Sequence, residues 1–169
     1  SVHYFGNEEP VIRTRLRSIS ACSGLTGEQI ALNPEEAAKS YAAVRPKLRM
    51  FDAIDMQLSS LDAHCAEHKP DIIIIDQLDK VHLNGTFASE TERLRQVYLR
   101  TREVAKRHNC FIIAVCQASA DAQDKLYVHY SMLENSKTGK AAEADLIVGV
   151  GYDASQSDLD TRATRCLFV

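Results

Sequence analysis

Between Asp71 and Asp76 the chain carries four consecutive isoleucines. A strand with one wet face alternates apolar with polar side chains. An unbroken β-branched run of this length therefore predicts a strand covered on both faces, at the centre of a parallel sheet. Residues 111–116, Phe-Ile-Ile-Ala-Val-Cys, predict a second fully buried strand, residues 146–150 a third and residues 165–169 a fourth. Residues 2–5 read as a short opening strand and residues 48–54 as another.

Between these runs the spacing becomes helical. Glu8-Glu9-Pro10 predicts a helix start, with proline near the first turn and acids at the positive end of the dipole. Val11, Ile12, Leu16 and Ile19 then recur on one face, and Ser23-Gly24 ends the helix. Thr26 and Gln29 have capping-box spacing for a short helix through Leu32. Asn33-Pro34-Glu35-Glu36 opens another helix to about Lys47. Residues 58–68 form a helix that feeds the isoleucine strand. Ser89 caps a long helix to about Arg107, with Leu94, Val97, Tyr98, Thr101, Val104 and Ala105 on one face. Helices that separate buried strands predict an α/β architecture with a mostly parallel sheet.

Composition bounds this picture more than it changes it. A chain of 169 residues suits one domain, and a net charge of −3 does not by itself announce a polyanionic partner. Cys22, Cys65, Cys110, Cys116 and Cys166 are odd in number and form no CxxC pair, which fits free, buried thiols in a reducing compartment. His64 and His68 stand four residues apart, but no glutamate completes HExxH, so a solvated helix face is the reading preferred over a metal site. No signal peptide or membrane-length apolar segment is evident, so a soluble, cytoplasmic protein is expected. The sequence starts and stops within strand-like segments. The expectation is a single core, residues 1–169, truncated at both ends from a longer polypeptide.

In open α/β sheets, ligands bind beyond the carboxyl ends of the strands. Three candidate groups follow strands here: Glu8 after the first, Asp76 after the isoleucines and Gln117 after residues 111–116. A carboxylate such as Asp76 is costly at that edge unless it meets a cation, and a nucleotide-bound magnesium is the common solution. That is the pattern of a Walker B strand; a core strand that finishes in a turn aspartate has the same pattern. A glutamate near a nucleotide can polarise an attacking water, and a glutamine can hydrogen-bond a γ-phosphate.

Tyr-Phe-Gly-Asn-Glu-Glu-Pro at residues 4–10, Ile-Ile-Ile-Ile-Asp at 72–76, Phe-Ile-Ile-Ala-Val-Cys-Gln at 111–117 and Ser-Lys-Thr-Gly-Lys-Ala-Ala-Glu-Ala-Asp at 136–145 occur in that order. The series resembles the RecA-like ATPase core of DnaB-type hexameric replicative helicases, including phage primase–helicases. RecA, KaiC and RadA-like proteins share the same strand-end arrangement. The resemblance implies a RecA-like sheet flanked by helices, an incomplete P-loop NTPase core, with ATP and Mg2+ as ligands. It implies Glu8 as the water-activating glutamate, with Glu9 as its rival, Asp76 as the magnesium-holding aspartate, and Gln117 as a γ-phosphate sensor. Residues 118–140 would line the channel of a homo-oligomeric, hexameric ring. Lys125, Lys137 and Lys140 would meet single-stranded DNA there, among Tyr127, His129 and Tyr130.

There are departures from the family's pattern. The phosphate-binding loop GxxxxGK[ST] is not within the sequence, and Gly139-Lys140 is followed by Ala141 where serine or threonine is needed. Arg162 and Arg165 are the nearest residues to the family's arginine finger, and Asn135 stands where the family carries an arginine. The function implied is a fragment of an ATP-dependent DNA helicase motor. The alternatives are a RecA/RadA/KaiC-like ATPase without unwinding activity and a non-catalytic α/β assembly module.

Overall fold

A computed structural model describes residues 1–135, 137–152 and 165–169, without the side chains of residues 137 and 138. The chain divides into two compact units, Ser1–His82 with Val104–Val115, and Leu83–Glu103 with Cys116–Val169.

The first unit is built on four strands: β1 (Val2–Gly6), β2 (Leu48–Asp52), β3 (Ile72–Asp76) and β4 (Phe111–Val115). All pair in parallel, in the order β2-β1-β3-β4. Parallel neighbours need crossovers, and α1 (Val11–Ser23), α2 (Gly27–Leu32), α3 (Pro34–Tyr41), α4 (Leu58–His68) and α5 (Glu90–His108) provide them. In β3, Ile73 and Ile75 are fully buried, and their neighbours Ile72 and Ile74 partly so. Each fully buried isoleucine contributes roughly 1.5–3 kcal/mol of apolar transfer.

The helices follow local chemistry closely. Thr26 and Gln29 form the expected reciprocal capping box at α2. Gly24 closes α1 in the left-handed region, φ 72°, with its N–H on the Ser20 carbonyl. Two boundaries differ from expectation. The third helix ends at Tyr41 rather than Lys47, and the chain continues in hydrogen-bonded turns, Val44 and Arg45 N–H both on the Tyr41 carbonyl, up to Pro46, which has no N–H to extend a helix. The first begins only at Val11, so Glu8 and Glu9 lie in the preceding loop instead of the first turn. The Asp52 carboxylate at the end of β2 accepts from the Val11 N–H at 2.8 Å and supplies the negative charge there.

The β4 strand is a larger departure. Read as fully buried, it is an edge strand paired with β3 alone among the described residues, and Phe111, Ile113 and Val115 are exposed. These three share the sheet face on which Ile72 and Ile74 of β3 are only partly buried, and an edge position adds exposure by leaving one flank without a neighbouring strand.

In the second unit, the segments expected as the third and fourth buried strands of a mostly parallel sheet form a separate antiparallel pair, β5 (Gly149–Gly151) and β6 (Cys166–Phe168). Leu146, Val148, Val150 and Leu167 are exposed rather than buried. Gly149 and Gly151 explain the local course of the chain. A Cβ at either would come within 2.3 Å of a carbonyl oxygen of the segment that includes Leu126 and Val128, so that segment can pass only where side chains are missing. A short helix, α6 (Lys137–Ala141), lies in the same unit.

Of the thiols, only Cys65 is fully buried; Cys22 is exposed and the other three are intermediate. Burial, with Cys110 beside it, pushes the Cys65 thiol up to about 12. Among the described residues, no helix is long and apolar enough to cross a membrane.

Candidate active site

The register of β1 against β3 places Gly6 opposite Asp76, so the residues that follow each strand emerge side by side at the carboxyl edge. The Asn7 N–H continues the ladder to the Asp76 carbonyl at 2.7 Å. The peptide between Asp76 and Gln77 is cis. The Asn7 side chain then pairs with both backbone groups of Gln77. Its Nδ2 donates to the Gln77 carbonyl at 2.6 Å, and the Gln77 N–H donates to its Oδ1 at 2.5 Å.

Two carboxylates are held on this frame, each by its own partner. Asp76 Oδ2 accepts from the Tyr4 hydroxyl at 2.7 Å. Burial, reinforced by the neighbouring Asp76 charge, pushes the Tyr4 phenol above its ordinary range, so the phenol keeps its proton and donates. Glu8 Oε2 accepts from Gln77 Nε2 at 2.7 Å, and Lys80 Nζ lies 3.5 Å from Glu8 Oε1. Glu9 is turned elsewhere: both its oxygens meet the Arg17 guanidinium on α1. Glu8 and Asp76 therefore share one rim, linked through consecutive residues of one turn.

Gln117 belongs to the second unit, where its carbonyl accepts from the Glu134 N–H at 3.2 Å and its side chain is exposed. In the same unit Lys125, Tyr127, His129 and Tyr130 are exposed, with Tyr127 edge-on to Phe168 at 5.8 Å. Lys140 is not on the surface. Its ammonium is buried, donates to the Glu134 carbonyl at 2.8 Å and stands 5.7 Å from the centre of the Tyr98 ring. Lys137 opens α6, and its side chain lies outside the described residues. Asn135 adopts a left-handed conformation, φ 53°. Arg165 stacks over the Tyr152 ring at 5.0 Å, and Arg162 lies outside the described residues.

Sequence reasoning assigned no role to Tyr4, Asn7, Gln77, Lys80 or Asp52. Gln77 carried a readable signal: it follows Asp76 directly, at the edge where ligands gather. Tyr4 and Lys80 carried none, because their relevance depends on which strands become neighbours.

Among the described residues, no group of three or more histidine, cysteine, aspartate or glutamate side chains could hold a metal by itself.

No family model and no curated protein matches the chain in sequence. Solved structures do match in fold. One is a DnaB-like replicative helicase described with its interactions with primase: TM-score 0.75, 16% identity, over 90% of this chain and 40% of that one. Another is described as an ATPase domain: TM-score 0.78, 16% identity, over 92% of this chain and 62% of that one. The chain thus spans less than two thirds of either. The parallel sheet with its flanking helices has the fold of these two structures, a RecA-like fold.

Proposed function

We propose that this chain is part of the motor of an ATP-dependent replicative DNA helicase, in which ATP hydrolysis between subunits of a hexameric ring drives movement along single-stranded DNA in the cytoplasm. The observation that carries the reading is the placement of Glu8 and Asp76 on one rim, beyond adjacent parallel strands, in a fold that solved replicative-helicase structures share. Asp76 would hold Mg2+, which neutralises charge on the phosphates when bound. Glu8 would accept a proton from the attacking water. It is preferred to Glu9, whose carboxylate is committed to Arg17. Gln117 would sense the γ-phosphate.

Lys125, Tyr127 and Tyr130 would meet DNA, because exposed cations and rings suit phosphates and stacked bases. The buried ammonium of Lys140 suits a structural role better. The residues 1–169 would form one part of a longer ATPase core that supplies the phosphate-binding loop.

The test is Glu8→Gln in the complete protein that carries this sequence. Loss of a general base is expected to lower ATP turnover with single-stranded DNA by roughly 10²–10⁴-fold while ATP still binds. Normal turnover in this variant rejects the reading.

A further inference from the structure

Gln77 is one of few buried polar side chains among the described residues, only 6% exposed. Its environment is closely determined for a residue just past a strand end. Asn7 satisfies its backbone N–H and carbonyl together, so the turn after β3 is tied to the turn after β1 by two hydrogen bonds from one side chain. With the backbone held, the side-chain amide can reach few acceptors. The acceptor it takes is the Glu8 carboxylate, at 2.7 Å.

A buried amide needs a partner, and a neutral carbonyl would serve for that purpose alone. A carboxylate is a stronger acceptor, and the bond restrains a side chain that is otherwise 42% exposed. A carboxylate offers about four lone-pair sites; Gln77 Nε2 donates to Oε2 at 2.7 Å, a directional bond, while the Lys80 ammonium lies 3.5 Å from Oε1.

We infer that Gln77 is the positioning residue for Glu8: Asn7 anchors the Gln77 backbone, and the Gln77 amide sets the direction in which the Glu8 carboxylate faces. This rests on the reading of Glu8 as the water-activating group. Gln77 does not touch the reacting atoms. It selects one orientation of the group that does, and misplacement of a base by an ångström is enough to slow the step it serves.

The experiment compares Gln77→Leu with Glu8→Gln in the complete protein, measuring steady-state ATP turnover with single-stranded DNA and ATP affinity by a fluorescent analogue. Gln77→Leu keeps side-chain volume and removes the donor. It is expected to lower kcat roughly 10–100-fold. The ATP KM and the analogue affinity should stay within about twofold, the split that marks an interaction made on the way to the transition state. Thermal melting identifies whether the variant folds. If it does not, Gln77→Met, unbranched and of similar length, replaces it and is judged by the same criteria. Unchanged or raised kcat, or a change confined to KM, overturns the role of Gln77. If Glu8→Gln is inactive in that case, the reading of Glu8 survives. If Glu8→Gln turns over normally, the underlying reading itself has failed.

Discussion

β3 and β4 lie side by side in parallel register and are built from nearly the same residues, yet they end in different environments. Ile75 is shielded completely while its partner Ala114 is exposed, and Ile74 is partly buried while its partner Ile113 is 41% exposed. Both runs are apolar enough for a central strand. What separates them is rank in the sheet, since β3 has a strand on each side and β4 has β3 alone among the described residues. The chemistry follows the same division. The rim beyond β1 and β3 is knit by Tyr4, Asn7 and Gln77, and it holds both carboxylates.

Substitutions along the two strands give the sharpest contrast. Ile73→Ala is expected to lower stability by about 2–5 kcal/mol, the cost of a cavity in a packed interior. Ile113→Ala on the edge strand should cost less than about 1 kcal/mol. Urea denaturation of the two variants decides it, and equal losses would remove the distinction.

A second experiment probes β1, the other inner strand. His3 is buried, with its Nδ1 2.7 Å from His64 Nε2. Burial lowers its pKa to about 4, and the nearby His64, Arg49 and His68 act in the same direction. The ordinary value, 6.5, applies when the chain unfolds. The unfolded state therefore takes up the proton first, and His3 costs nothing above pH 6.5. Stability should fall progressively as the pH drops from about 6.5 to about 4, by about 3 kcal/mol in all from His3. Burial lowers the His64 pKa as well, so its contribution has the same sign. Melting of the native chain and of His3→Phe across this range checks it. The substitution should flatten the slope, and parallel curves would contradict the assignment.

The smallest expected effect concerns β2, the opposite edge. Asp52→Ala removes the carboxylate that caps the Val11 N–H and should cost about 1 kcal/mol, near the value of a helix cap. Thermal melting of this variant measures it. A larger loss would mean that this edge is not as peripheral as β4.

Much of the fold was legible because its signals are local. The capping box at Thr26, the glycine stop at Gly24, the amphipathic spacing of α5 and the isoleucine run each act within a few residues. Pro46 was equally local, and the missing N–H that keeps it from extending a helix is chemistry of the same kind. Of the site, Glu8 and Asp76 were legible as strand-end acids, because any parallel sheet carries its ligands at that edge. Gln77 was legible by its place directly after Asp76, but its contact with Glu8 was not, nor were the contacts of Asn7 and Tyr4: their partners are about seventy residues away in sequence.

The pattern of apolar runs and helical spacings determined by itself that this is a parallel α/β chain with acids beyond its strands, since those features depend on residues close together along the backbone. Only the tertiary structure decided that β4 lies at an edge, that residues 149–151 pair with 166–168, that Lys140 is buried and that Gln77 grips Glu8. Each of these depends on which distant segments become neighbours, and strand order and side-chain contact are properties of the assembled sheet.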